Sequence, residues 1–273
     1  MEGWQHLRIT AEDDGQTWLL ELDHGKANEI GTEVLREVER LAAALAADPR
    51  VRSLITFSRR RTSKGTPIFV AGANVTERVG WDDERVLAHV GWQRQVLAQL
   101  RAAPVFHAVV VSGVALGWGT EFLLTADHRI GCDGAVFGLP ETGLGIVPGA
   151  GGTGELWAEI GVGHALRLGM TGERIGPAEA LRIGLVHEQR DTLDAGLARA
   201  RELAAMVARR SPTAVAAFKR GVLAAVGGTA AERTAAEDTA YALCVRRGEA
   251  AIGRSSFETI AAGGTPAWGP RAS

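Results

Sequence analysis

The apolar run from Val105 to Val111 constrains this 273-residue chain more than any other segment. A strand with one wet face alternates apolar and polar residues. A short run without that alternation reads as a strand buried on both faces. Covering both faces takes a further layer on each side, so the run predicts a layered α/β core. The flanking segments agree. Residues 6–10 and 16–22 surround Asp13-Asp14-Gly15, a hairpin pattern. A helix starts near Thr32, with Val34, Leu35, Val38, Leu41, Ala42 and Leu45 on one face, and Asp48-Pro49 stops it. Val51 to Phe57 and Ile68 to Ala71 read as strands, and 83–101 as a helix. Gly113 to Gly119 reads as a glycine-punctuated turn, Phe122 to Ala126 as a short helix, and Arg129 to Phe137 as a strand. Beyond about residue 160 the pattern is helical, over 162–171, 176–183, 192–209, 212–224 and 229–248. Residues 58–67 read as a basic, flexible loop, and 263–266 as loose chain.

Composition excludes several classes of function. Thirty basic and 32 acidic residues give a net charge of −2, with no general attraction to nucleic acid or an anionic membrane. Cys132 and Cys244 form no metal-ligand spacing, and the seven histidines are scattered, so no metal is expected. Two isolated thiols fit a reducing compartment. The N-terminus lacks a basic segment followed by an apolar one, and no stretch approaches the ~20 apolar residues of a membrane span. The expectation is a cytoplasmic protein with no membrane or nucleic-acid partner.

Three segments carry candidate chemistry: Phe69-Val-Ala-Gly-Ala-Asn-Val-Thr-Glu77, Gly113-Val-Ala-Leu-Gly-Trp-Gly-Thr-Glu121, and the stretch from Phe137 to Thr153. Two of them place a small-residue turn between a strand and a helix, where unpaired backbone N–H groups and positive dipole gather. Two such turns facing each other would grip one oxygen, the arrangement of an oxyanion hole. Glu121 and Glu141 are carboxylates that would share acid and base roles if brought together over an apolar pocket. Glutamate is also favoured in a first helical turn by the dipole alone. The run Gly149-Ala-Gly-Gly-Thr-Gly154 matches GxGxxG, but Pro148 precedes it and no β-branched strand leads in, which argues against a dinucleotide site. Arg59, Arg60, Arg61 and Lys64 are either a solvated charge run or contacts for an anionic ligand. Trp81, Trp92 and Trp157 fit core, pocket wall or subunit contact equally.

At the three segments the chain resembles the enoyl-CoA hydratase/isomerase (crotonase) family, from about residue 8 to about 225. Phe-Val-Ala-Gly-Ala-Asn resembles the family's F-x-A-G-A-D, and Gly113 to Glu121 its G-x-A-x-G-G-G-x-E. Residues 137–153 are similar to its F-x-x-P-E-x-x-L-G-x-x-P-G-x-G-G-T. Thr171 to Val186 and Ser211 to Lys219 also read like it. The resemblance implies a ClpP/crotonase-like α/β fold, a spiral of ββα units over 1–195, followed by a helical region over 196–273 that trimerises, often as a dimer of trimers. It implies an acyl-CoA substrate, with coenzyme A part of the substrate and no separate cofactor. The backbone N–H groups of Ala73 and Trp118 would form the oxyanion hole. Lys26, Ala27, Asn28, Ala71, Ala73, Asn74, Val75 and Thr76 would line the CoA path. Glu121 and Glu141 match the hydratases' catalytic glutamates. The implied activity is hydration of 2-enoyl-CoA to 3-hydroxyacyl-CoA. Double-bond isomerisation, dehydration, decarboxylation, thioester hydrolysis and non-catalytic CoA-ester binding are the alternatives.

The chain departs from the family pattern in four places. Trp118 stands where glycine is usual, and its indole is expected to reshape the acyl pocket or pack beneath it. Asn74 replaces Asp and is expected to cap a helix as well as Asp would. The 58–67 loop is long, and 253–266 lacks the usual basic cluster.

Overall fold

The computed structural model describes residues 3–272. Strands β1 (Leu7–Glu12), β2 (Thr17–Leu22), β3 (Ser53–Phe57), β4 (Ile68–Val70), β5 (Phe106–Val111), β6 (Val114–Leu116), β7 (His128–Cys132), β8 (Val136–Gly138) and β9 (Glu188–Arg190) build two sheets. The larger has the order β1-β2-β3-β5-β7-β9 and the smaller β4-β6-β8. Among these strands only the β1–β2 pair is antiparallel and the other pairs are parallel; the isolated bridges Arg61–Pro67 and Phe137–Ile175 are antiparallel too.

Chain order explains the architecture. From β3 onward, successive strands alternate between the sheets: β3, β5, β7 and β9 go to the large one, and β4, β6 and β8 to the small one. Helices follow: α1 (Thr32–Ala47), α2 (Asp83–Ala102), α3 (Trp118–Phe122), α4 (Leu156–Ile160), α5 (Val162–Thr171) and α6 (Pro177–Ile183). The repeating unit is therefore strand, strand, helix, wound as a spiral. The central strand β5 is buried nearly throughout, as a doubly covered strand must be. His107 interrupts its apolar run yet lies wholly inside, bonded to Thr56 Oγ1 at 2.8 Å and to the Thr125 carbonyl. Burial pushes its pKa down to about 3, so the ring is neutral. All six α1 residues expected on one face are buried.

The spiral corrects two expectations. The segment 113–119 is not only a turn, because β6 runs inside it; three residues are too few to show periodicity. The strand expected over 129–137 is two strands, β7 and β8, parted at Asp133-Gly134 and delivered to different sheets. The short strand β9 was not foreseen.

Helices α7 (Leu193–Ala208), α8 (Pro212–Ala225), α9 (Ala230–Arg246), α10 (Glu249–Ser255) and α11 (Phe257–Ala261) complete the chain. No helix among the described residues is long and apolar enough to cross a membrane. Ser211 caps α8 by accepting from Ala214 N, and Lys219 on that helix bonds Asp127 and the Val105 carbonyl, joining α8 to the base of β5. Residues 263–266, read as loose, lie outside every helix and strand, but the chain beyond them is anchored by Arg271. Its buried guanidinium donates to the carbonyls of Leu45, Ala46, Asp48, Val51 and Pro104, which meets the unpaired acceptors where α1 ends. The 58–67 loop is likewise tied down. Arg59 pairs with Asp194 at 2.8 Å and Arg60 with Asp23 at 2.9 Å.

Candidate active site

The small sheet gathers the site. Its strands are parallel neighbours, with Val70 opposite Ala115 and Leu116 opposite Gly138, so all three end at one edge. Past that edge β4 runs into Ala71–Thr76, β6 into Gly117 and α3, and β8 into the 3₁₀ turn Pro140–Leu144. Ala73, Trp118, Glu121 and Glu141 are thus delivered by adjacent strands, although 68 residues of sequence separate the first from the last. The backbones approach closely: a Cβ on Gly119 would run into the Val70 carbonyl.

Glu121 is 3% exposed. Its Oε1 accepts from Ala150 N at 2.8 Å and Gly152 N at 2.9 Å. Both donors belong to the GxGxxG run, which here holds a carboxylate of its own chain. Burial pushes the Glu121 pKa up to about 7, and the charge of Glu141 pushes the same way. The two N–H donors and Arg94 oppose the rise without cancelling it.

Glu141 sits on the 3₁₀ turn, partly exposed, with Oε2 buried and without a partner among the described residues. Burial raises its pKa as well. Its Oε1 lies against Gly117, where an added Cβ would come within 2.5 Å of it. Gly117 has φ +52°, which non-glycine residues rarely adopt. Glycine there opens the turn and lets the carboxylate approach.

Among the described residues, neither the Ala73 nor the Trp118 backbone N–H donates to an acceptor. The Trp118 indole is 2% exposed and packs on Phe122 with ring centroids 5.3 Å apart. Of the two expectations for this indole, packing in the core matches its burial, and its Nε1 is buried without an acceptor among the described residues.

The segments expected along the CoA path do meet: Ala71 N donates to the Ala27 carbonyl at 3.1 Å. Lys26, Val75 and Thr76 are exposed, and Ala27, Ala71, Ala73 and Asn74 partly so. Asn28 departs from its expected part. Its side chain is fully buried: Nδ2 lies within hydrogen-bond distance of Leu22 O, Phe69 O and Ser58 Oγ, which share its two hydrogens, and Oδ1 accepts from His24 N. It clamps three segments and has no face for a ligand. Asn74 does not cap either. The element after it is the short 3₁₀ turn Val75–Arg78, and its Oδ1 accepts from the Thr76 hydroxyl instead.

A cavity of about 400 Å³ opens on Glu121, walled by Arg94, Leu97, Ala98, Leu124 and Ala150. Ala73, Trp118 and Glu141 are not among its lining residues. A second cavity of about 580 Å³ lies between Leu139, Val147 and α5, with Trp157 on its wall. Trp92 donates to Glu39, and Trp81 meets the His89 ring edge-on, so neither tryptophan lines these cavities. Reading the sequence missed three features: the steric need for Gly117, the amide cradle at 150–152, and Arg94. The glycine run was the one available signal for the cradle.

The family model described as enoyl-CoA hydratase/isomerase matches residues 18–259. The short-chain-enoyl-CoA hydratase of Clostridium acetobutylicum is 32% identical over 217 residues, covering 78% of this chain and 80% of that protein. Enoyl-CoA hydratase domain-containing protein 2, mitochondrial, of Mus musculus is 35% identical over 210 residues, covering 76% and 69%. The crystal structure of the enoyl-CoA hydratase from Bacillus anthracis superposes with a TM-score of 0.87 at 29% identity, over 97% of this chain and 99% of that one. With these matches and the spiral of ββα units, the chain belongs to the enoyl-CoA hydratase/isomerase family and has the crotonase fold.

Proposed function

We propose that this protein is an enoyl-CoA hydratase, adding water reversibly across the double bond of a 2-enoyl-CoA to give 3-hydroxyacyl-CoA. What supports this reading is that both acids meet one turn: Glu141 Oε1 lies against Gly117, whose carbonyl accepts from Glu121 N at 2.9 Å, and the Ala73 and Trp118 amides nearby in the chain are unpaired among the described residues. A thioester carbonyl between Ala73 N–H and Trp118 N–H would have its developing oxyanion stabilised by donors already in place. Glu121 and Glu141 would flank C2 and C3. Together they take a proton from the water that attacks C3 and deliver one to C2, so the pair ends as it began. Raised pKa values suit this: burial lifts both carboxyls above the usual carboxylate range, Glu121 to about 7, where it can both accept and give a proton. Lys26, Ala27, Ala71 and the backbone from Ala73 to Thr76 would line the CoA path, with Asn28 holding it from behind.

The apolar residues exposed on α8, α9 and α11, among them Phe218, Tyr241 and Phe257, suit burial in a homotrimer. Light scattering on the purified protein tests that assembly. The activity is tested by following loss of the conjugated thioester absorbance with crotonyl-CoA. Steady hydration is expected. Binding of crotonyl-CoA without turnover would end the hydratase reading and leave the other reactions of the family.

A further inference from the structure

The cavity beside Glu121 has two arginines on its wall, and they are not equivalent. Arg101 is neutralised, with Glu155 at 2.7 Å and Glu159 at 3.6 Å. Arg94, seven residues earlier on the same helix face, has no carboxylate partner among the described residues. Its Nε donates to the Gly149 carbonyl at 3.0 Å, which fixes the guanidinium plane and leaves both terminal nitrogens without an acceptor. The rest of the wall is mostly apolar, with Leu97, Ala98, Leu124, Pro148 and Ala150; Thr125 and Thr153 are its neutral polar members, and Glu155 is paired with Arg101.

We propose that this cavity receives the distal end of the acyl group and that Arg94 selects chains ending in a carboxylate. An oriented fork of free N–H donors beside an apolar channel fits a carboxylate that must be both reached through a hydrocarbon stem and paired at its tip. A neutral chain fills the channel and leaves the cation to solvent. The charge also acts within the site, since Arg94 makes the buried Glu121 carboxyl more acidic than burial alone would. This inference rests on the thioester binding at the proposed site, and it names the class of acyl group bound there.

Calorimetric titration with saturated thioesters tests it without any hydration step. Glutaryl-CoA and adipyl-CoA are compared with pentanoyl-CoA and hexanoyl-CoA. The wild type is expected to bind the acids about tenfold more tightly or better, as one charge-assisted pair provides. Arg94→Gln should abolish that preference while leaving pentanoyl-CoA within about threefold of its wild-type affinity, and Arg94→Lys should keep part of it. Equal weakening of glutaryl-CoA and pentanoyl-CoA in Arg94→Gln would put the guanidinium on a phosphate of coenzyme A and overturn the proposal. So would equal wild-type affinity for the two. A preference for glutaryl-CoA in a protein that does not hydrate crotonyl-CoA would remove the hydratase reading and keep this one. Failure to bind any of the thioesters would remove both.

Discussion

The turns that carry Glu121 and Glu141 put the same side chain into different surroundings. The first is enclosed: Glu121 lies inside α3, and the Ala150 and Gly152 amides fix one oxygen. The second is open: Glu141 projects from a 3₁₀ turn whose following residues are exposed, with one buried oxygen unpartnered and the other against Gly117. One carboxylate is held by what it accepts and the other by the room left for it. A pair working on one substrate does not need identical supports. It needs one member whose position is set by the fold and one free to meet the ligand.

The largest test removes each acid in turn. Glu121→Gln and Glu141→Gln should each lower crotonyl-CoA hydration by at least about 100-fold, as for loss of a general acid or base. The double variant should be little worse than either single one if they act as a unit. A mild effect at one position alone would break the comparison. Next comes Gly117→Ala. Its Cβ competes with Glu141 Oε1 for space and must adopt φ +52°. We expect hydration to fall at least about tenfold and stability by roughly 1–3 kcal/mol, read by urea unfolding.

The two carboxyls should also differ in pH response. Folded Glu121 keeps its proton to about pH 7, whereas an unfolded glutamate loses it near pH 4.3. The folded state therefore binds more protons in that window, and the contribution of Glu121 to stability falls as pH rises through it. Glu121→Gln should accordingly melt several degrees above wild type at pH 8, with the gap closing by about pH 4. Glu141→Gln should shift the same way by less. The hydration rate should itself titrate near neutrality, with apparent constants that belong to the pair. The smallest effect is expected at Thr142, whose hydroxyl donates to the Gly169 carbonyl and steadies the open turn. Thr142→Val should cost about 1 kcal/mol or less and leave the enclosed carboxyl's titration unmoved.

Much of this molecule was readable beforehand, and the exceptions share a cause. The α1 face, the β1–β2 hairpin and the helices between residues 160 and 248 repeat a period over enough residues to be seen, whereas the short α10 and α11 do not. The strands β6, β8 and β9 are three residues each, and their pairing is dictated by neighbours far away in the chain. Glu121 and Glu141 were picked out by motif. Nothing in the residues around Glu121 told that amides some 30 positions later would hold it. The family resemblance puts Asn28 along a ligand path, but its buried hydrogen bonds come from contacts a linear reading does not contain. Arg271, a lone cation in a glycine- and proline-bearing tail, reads as solvated in the sequence, and only the end of α1 packed against it shows its role.

The alternation of strands between the sheets has a practical consequence. The three strands that present the candidate site are stitched between those of the main scaffold, so no continuous excerpt of the gene encodes all three without the strands between them. Grafting the edge that carries the candidate site onto a foreign protein would mean transplanting everything from β3 to β9. Limited proteolysis should likewise yield no surviving fragment that keeps the edge and sheds its backing.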